Sequence, residues 1–422
     1  MPASTHDAPA DCPWISAEEA AAMLGVKRAS LYSYVSRGLL RAQRLPQHRG
    51  SSYLLSDVSR LARQRAAIRN PTKLAHSALD WGQAVLSSAI TRVHEGQFFY
   101  RGQNAVALAD VASLEAAAAL LWQGDGCPPS VTTQASQNTD GASCDLPEAD
   151  RALSLWFQAP PSLTQCAPTG FAQRMRFVQA MCSVLLGRWP SPQDDATPVH
   201  QRLQRHWHLS DAATDVLRRA LVLCADHELN ASTFTVRVVA STGASLHASL
   251  GAGLAALSGA RHGGMTALIE RNWDEWHAQA TNPRTLAPSL QRLLHETQTG
   301  QTPSYCAGFG HPLYPQGDPR SRALLAALPP QADAARLTRS VLVQTGLHPS
   351  LDYALVAVQR GLGLPRGAAF LLFALGRTVG WIAHAAEQVQ SGQLIRPRAS
   401  PPHDGSPTQP EEIATGRVIR FR

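Results

Sequence analysis

Thiol pairing, membrane spans and targeting signals are all short of material in this 422-residue chain. Its seven cysteines (Cys12, Cys127, Cys144, Cys166, Cys182, Cys224, Cys306) are odd in number, widely spaced and free of any CxxC pair. A disulfide framework or a thiolate zinc site needs paired spacing, so separate reduced thiols are expected. No apolar run is read as reaching the roughly 18 residues that a bilayer-spanning helix requires. The opening MPASTHDAPADC has neither the basic start nor the apolar stretch of a secretory leader. A cytoplasmic protein with no membrane partner is therefore expected. Charge is sparse as well, with 16% charged against 44% hydrophobic residues. Ala, Leu and Gly dominate the middle of the chain, which suits a large, closely packed, mainly helical body plus a small second domain.

The little charge there is lies unevenly. From Trp14 to Asn70 ten lysines and arginines face only Glu18, Glu19 and Asp57, which accounts for the whole net charge of +7. A basic character confined to one small unit points to an anionic partner for that unit. After a lead-in at 1–13 expected to be disordered, Ser16-Ala-Glu-Glu19 reads as a capping box. A short helix to Leu24 follows, then a Gly25-Val26 turn and a helix over Lys27–Arg37 closed by Gly38. Two short helices joined by a glycine turn are a helix-turn-helix unit. Leu39–Tyr53 suits a β-hairpin wing, and Ser56-Asp57 cap a third helix to about Arg69. The segment EEAAAMLGVKRASLYSYVSRGLL resembles winged helix-turn-helix domains of the excisionase-like and mercury-regulator-like type. That resemblance implies DNA contact through Arg28, Ser30, Tyr32 and Ser33 on or near a recognition helix, with Arg44 and Arg49 meeting phosphates.

Residues 70–77 read as a polar linker, and a second domain is expected over 78–398. Tyr100-Arg101-Gly102 reads as a turn, with a helix following over Val106–Gly124. Within 124–150 Ser, Thr, Gly and Pro predominate, as in an exposed insertion. Apolar residues three and four apart predict helices over Phe171–Leu186 and Ala212–Leu223, with few convincing strands anywhere. Ala240–Leu257 is almost entirely small residues, which suits a buried or intersubunit helix. The Leu364-Pro365-Arg366 breaker separates a helix around Tyr353–Gly361 from a last one over Ala368–Gln390. The tail at 399–422 loses periodicity and is expected to be disordered, apart from a short extended end.

Chemistry concentrates after residue 220. Asp226-His227-Glu228-Leu229-Asn230, then Arg261-His262-Gly263-Gly264, then Gly308-Phe309-Gly310-His311 with Arg320, place three histidines in loops. Leu351-Asp352-Tyr353, Gly376-Arg377 through His384, and Arg396-Pro397-Arg398 add a carboxylate and two further arginine sites. Imidazoles, one carboxylate and several guanidiniums suit proton transfers on an anionic substrate. Ligation of zinc by His227, His262 and His311 is disfavoured, because no two have helical ligand spacing. No metal and no bound cofactor are expected.

In this order and combination the HELNASTF, HGG, GFGH…DPR, GRTVGWIAH and RPR segments resemble citrate synthase over roughly residues 80–398. The resemblance implies an almost entirely α-helical obligate homodimer with a large domain and a small one, the latter roughly 264–365. It implies condensation of acetyl-CoA with oxaloacetate and hydrolysis of the thioester to citrate and CoA. By the same resemblance Asp352 is the base, His262 the hydrogen-bond donor to the thioester oxygen, and His311 the group that polarises the ketone. His227, Arg320, Arg377 and Arg396 bind oxaloacetate carboxylates, Arg396 reaching across from the partner. The chain departs from the family where cations near the coenzyme phosphates are common, having Pro312 and Pro315 there. Met265-Thr266 stand in place of Ala-Asn, and Ala385 stands where Trp is common. A 2-methylcitrate synthase using propionyl-CoA shares the same residues. A DNA-binding regulator with a synthase-like metabolite-sensing domain is the alternative from another class.

Overall fold

The computed structural model describes residues 14–36, 39–40, 42–44, 50–54, 58, 61–62, 86–123, 148–158, 170–189, 197–282, 284–299, 307–329 and 332–397. The expected lead-in, linker, tail, Gly38, Arg49, most of the third N-terminal helix and nearly all of the 124–150 insertion lie outside these residues. The chain divides into two compact units, one of residues 1–87 with 397–422 and one of Ser88–Arg396.

In the first unit, β1 (Trp14–Ser16), α1 (Ala17–Leu24), α2 (Arg28–Ser36), β2 (Ala42–Arg44) and β3 (Ser51–Leu54) follow in order. Ser16 and Glu19 form the expected capping box, and Gly25 takes the left-handed conformation (φ 59°) that closes α1. The strands form an antiparallel sheet ordered β1-β3-β2, with Ile15 opposite Tyr53 and Gln43 opposite Ser52. Ala20, Leu24, Leu31, Leu40, Tyr53, Val58 and Leu61 make its core. Arg28 and Tyr32, four residues apart on α2, are left exposed.

The second unit begins with a feature the sequence reading passed over as a turn. β4 (Thr91–His94), β5 (Gln97–Tyr100) and β6 (Gln103–Asn104) form a small antiparallel meander. Phe98 and Tyr100 alternate inward from β5, and the Tyr100 hydroxyl donates to the carbonyl of Val222 at 2.9 Å. Among the described residues the named elements that follow are helices: α3 (Ala105–Val111), α4 (Leu114–Trp122), α5 (Glu148–Phe157), α6 (Phe171–Leu185), α7 (Val199–Trp207), α8 (Asp211–Cys224), α9 (Ala231–Ser241), α10 (Leu246–Leu257) and α11 (Met265–Gln279). They continue with α12 (Pro288–Thr299), α13 (Pro319–Ala327), α14 (Ala332–Thr345), α15 (Leu351–Gly361) and α16 (Ala368–Ser391). The unit is mainly helical, as expected.

α16 is the axis of this unit, packing on α4, α6, α8, α9, α10 and α15. Its 24 residues are long and apolar enough to cross a membrane by length and composition, which corrects the reading that no such run exists. Its whole apolar window is buried inside the protein, so it is a core helix. The small-residue run expected at 240–257 becomes the C-terminal end of α9 and all of α10. A Cβ at Gly253 would lie 2.6 Å from Val236 and 3.0 Å from the Trp381 ring, so glycine sets how closely α10 approaches its neighbours.

Candidate active site

His227 stands on the loop between α8 and α9, and the loop is tied down at several points. Glu228 takes a left-handed conformation (φ 50°), and its Oε1 accepts from the Val93 amide of β4 at 2.8 Å. Asn230 caps α9 by accepting from the Thr233 amide, while its Nδ2 donates to the His227 carbonyl at 3.2 Å. From the other side α16 lies flush against this loop. The Gly380 amide donates to the Ala225 carbonyl at 2.9 Å. A Cβ at Gly380 would collide with that carbonyl and with Asp226, and one at Gly376 would meet the Leu221 carbonyl at 2.6 Å. The GRTVG spacing thus brings Arg377 down beside the loop, where its Nε donates to the Cys224 carbonyl at 2.9 Å.

His262 sits in the turn between α10 and α11. Gly263 and Gly264 follow it because their Cα positions lie against Leu257 and the Ser258 carbonyl, leaving no room for a side chain. Its Nε2 is 2.9 Å from the Ser232 hydroxyl and 3.2 Å from Asn230 Oδ1. Trp381 in turn donates to Ser232 at 3.2 Å. The same Asn230 that caps α9 therefore also orients His262.

His311 projects from a turn that Gly308 (φ 87°) and Gly310 (φ 78°) make possible. That turn is stitched to the segment entering α15: the Gly310 amide donates to the His348 carbonyl at 2.7 Å and the Ser350 amide to the Gly308 carbonyl at 2.8 Å. Asp352 is the second residue of α15, whose N-cap is Ser350. His311 and Asp352 are thus held on one pair of hydrogen-bonded segments. The Leu313 amide donates to His311 Nδ1 at 3.2 Å, which leaves the ring proton on Nε2. Asp318 caps α13 and grips Arg320 bidentately, with Nε at 2.9 Å and the terminal nitrogen at 2.7 Å.

Arg320 is the electrostatic neighbour common to His227, His262, His311 and Asp352. Burial, reinforced by Arg377 and Arg320, pulls His262 down to about 3. Burial and Arg320, opposed by Asp318, pull His311 down to about 4. His227 falls well below the usual imidazole range for the same reasons. Burial pushes Asp352 up to about 7, with Arg320 opposing. One of its oxygens has no hydrogen-bond partner among the described residues, and the other is 3.4 Å from the Ser350 hydroxyl. A terminal nitrogen of Arg377 is likewise buried and unpartnered. Such a set of neutral imidazoles, an unpaired guanidinium nitrogen and a carboxylate titrating near neutrality is suited to binding an anion and removing a weakly acidic proton.

Six of the seven expected site residues, His227, His262, His311, Arg320, Asp352 and Arg377, converge in this way. Arg396 does not; it is exposed at the C-terminal limit of the second unit. Three roles were not foreseen, although Asp226 and Asp318 lie within the motifs themselves. Asp318 anchors Arg320, Tyr314 bonds His227 Nε2 through its hydroxyl at 2.7 Å, and Asp226 faces His384 at 3.3 Å with both side chains fully buried. Burial opposes ionisation of Asp226, yet His384 and Arg377 hold its carboxyl below the usual range. His384 lay within a quoted motif and Tyr314 within the GFGH turn, but neither carries a signal of its long-range partner.

The fold and this convergence define a family. The model for "Citrate synthase, C-terminal domain" matches residues 163–398, more than half of the chain, and the protein belongs to the citrate synthase family. It is 32% identical over 200 residues to citrate synthase 2 of Bacillus subtilis, covering 45% of this chain and 51% of the relative. It is also 32% identical over 200 residues to citrate synthase of Haloferax volcanii, covering 45% and 50%. The chain thus spans about half the length of these curated relatives in the matched region. The solved citrate synthase of Thermotoga maritima superposes with a TM-score of 0.56 at 23% identity, covering 78% of this chain and 96% of that one, a likeness of fold.

Proposed function

We propose that the chain is a citrate synthase that condenses acetyl-CoA with oxaloacetate and hydrolyses the resulting thioester. The observation that carries this reading is Asp352, a buried carboxylate pushed up to about 7 beside Arg320 and tied to the His311 turn. A base of that affinity is half ionised near neutral pH and takes a proton from an acyl methyl more readily than an ordinary carboxylate. His262 donates to the thioester oxygen as the enol forms. His311 Nε2–H polarises the oxaloacetate ketone, and the arriving dianion raises the affinity of His311 for the proton that the new alkoxide takes. His227, Arg320 and Arg377 hold the carboxylates, with the unpartnered nitrogen of Arg377 available to one of them. Arg396, exposed in the single chain, is assigned to the partner's site in a homodimer. Closure of a small domain at roughly 264–365 excludes water before proton removal.

The test is thiol release with oxaloacetate and either acetyl-CoA or propionyl-CoA, with Asp352→Ala as control. Turnover with acetyl-CoA that Asp352→Ala abolishes supports the reading. Preference for propionyl-CoA would make the enzyme a 2-methylcitrate synthase, and no turnover with either would overturn the synthase reading in favour of a metabolite-sensing regulator.

A second property is compatible with the first. We infer that residues 14–69 form a winged helix-turn-helix that binds DNA. Supporting this are the helix–Gly25–helix arrangement, the three-stranded sheet, and the exposed Arg28 and Tyr32 on α2 of a unit that holds the chain's net positive charge. Ser30 is half-buried on the same helix and Arg44 lies on β2. Retention on DNA that falls with salt and is lost on deleting residues 1–70 is expected; unchanged retention of the truncated chain refutes it.

A further inference from the structure

Tyr314 has no role in the proposed reaction, yet it touches three of the groups that do. It is 2% exposed. Its ring centroid lies 5.0 Å from that of His311 and 5.5 Å from that of His227, and the Arg320 guanidinium carbon is 5.7 Å from it. Its amide donates to the His311 carbonyl at 2.9 Å, and its own carbonyl accepts from the Gly317 amide at 2.9 Å, so the backbone turn fixes where the hydroxyl goes.

The hydroxyl is 2.7 Å from His227 Nε2, which is its only hydrogen-bond partner among the described residues. Burial pushes the phenol above its usual range despite Arg320, so it stays protonated at neutral pH and has one proton to give. With the O–H as the donor, Nε2 is the acceptor. His227 is held neutral by burial and by the cations around it. A neutral imidazole whose Nε2 accepts carries its proton on Nδ1. No described residue accepts from that Nδ1.

We propose that Tyr314 is a positioning residue that locks His227 in the Nδ1–H tautomer, so that Nδ1–H is the donor presented to a carboxylate or carbonyl oxygen of the bound anion. That the anion is oxaloacetate rests on the proposed citrate synthase reading; the tautomer itself does not. Through its ring Tyr314 also keeps His227, His311 and Arg320 in one aromatic and cationic cluster, which the conservative change to phenylalanine preserves while removing only the hydroxyl.

The test uses full-length protein with 15N-labelled imidazoles, with the His227 signals identified by their loss in His227→Gln. Nδ1–H is expected for the wild type between pH 7 and 8, and a shift toward Nε2–H or a mixture in Tyr314→Phe. Oxaloacetate affinity, measured by calorimetry without acyl-CoA, is expected to fall about tenfold in Tyr314→Phe, the scale at which a group that orients a binding imidazole acts. An Nε2–H tautomer in the wild type, or an unchanged tautomer and affinity in Tyr314→Phe, overturns the proposal. If Tyr314→Phe fails to fold, the wild-type tautomer alone decides. Absence of turnover with an intact Nδ1–H tautomer would count against the synthase reading and leave the Tyr314 proposal standing.

Discussion

Replacing Asp352 by asparagine should remove activity and stabilise the protein, and the size of the gain should depend on pH in a direction that the site fixes. The carboxyl ordinarily titrates near 3.8 and burial raises it to about 7 in the folded chain. Between those values the folded state holds a proton that the unfolded state has released, so stability falls as pH rises through this window and the loss is complete above it. Three pH units correspond to about 4 kcal/mol at most. Asparagine cannot ionise and therefore escapes the loss. Asp352→Asn should match the wild type below pH 4, exceed it by about 2 kcal/mol near pH 5.5, and exceed it by up to about 4 kcal/mol at pH 8. Melting temperatures followed by calorimetry from pH 5.5 to 8 should then diverge by roughly 3 °C across that range. Turnover in the wild type should climb over the same interval, because only the carboxylate accepts the proton. Parallel melting curves for the two proteins over this range would refute the reasoning, since they would mean that Asp352 is ionised throughout.

Other consequences of the geometry are open to simpler measurements. Gly380→Ala places a methyl against the Ala225 carbonyl and Asp226, so it should cost about 2 to 3 kcal/mol in denaturant unfolding and weaken oxaloacetate binding by displacing the His227 loop; a loss under 0.5 kcal/mol would show that α16 shifts freely. Arg377→Lys keeps the charge but loses the Nε contact to Cys224 and the planar fork, so KM for oxaloacetate should rise about thirtyfold or more, and an unchanged KM would remove Arg377 from the carboxylate site. Ser232→Ala takes away the hydroxyl beside His262 Nε2 and should lower kcat about tenfold with little change in oxaloacetate KM; a fall in KM alone would assign Ser232 to packing.

What could be read from the residues alone follows from the range over which each interaction acts. The capping box at Ser16 and Glu19, the left-handed Gly25, the helices around Tyr353–Gly361 and from Ala368, and the breaker at Pro365 are local, and each appears in the structure where the spacing places it. The β4–β6 meander was missed because strands of four, four and two residues leave too few alternations to distinguish from a turn. The bounds of α16 were read to within a residue, but its apolar run was underrated because Arg377 and His384 interrupt it in the sequence.

In the folded chain those same two residues tie the buried α16 to the loop that carries His227. Arg377 reaches the Cys224 carbonyl and His384 reaches Asp226, and both contacts exist only because Gly376 and Gly380 remove the side chains that would hold the helix away from the loop. Glycines in a helix interior each cost about 1 kcal/mol against alanine, and a buried carboxylate returns little net stability even when partnered. Neither is explained by stability alone, and both bear on where His227 and the free nitrogen of Arg377 point. Pairings such as Asp226 with His384 or Tyr314 with His227 join residues 158 and 87 positions apart, so no local pattern could announce them. His262 and His311 were legible because they sit beside glycines in loops; the residues that aim the site were not, because their partners are supplied by tertiary packing.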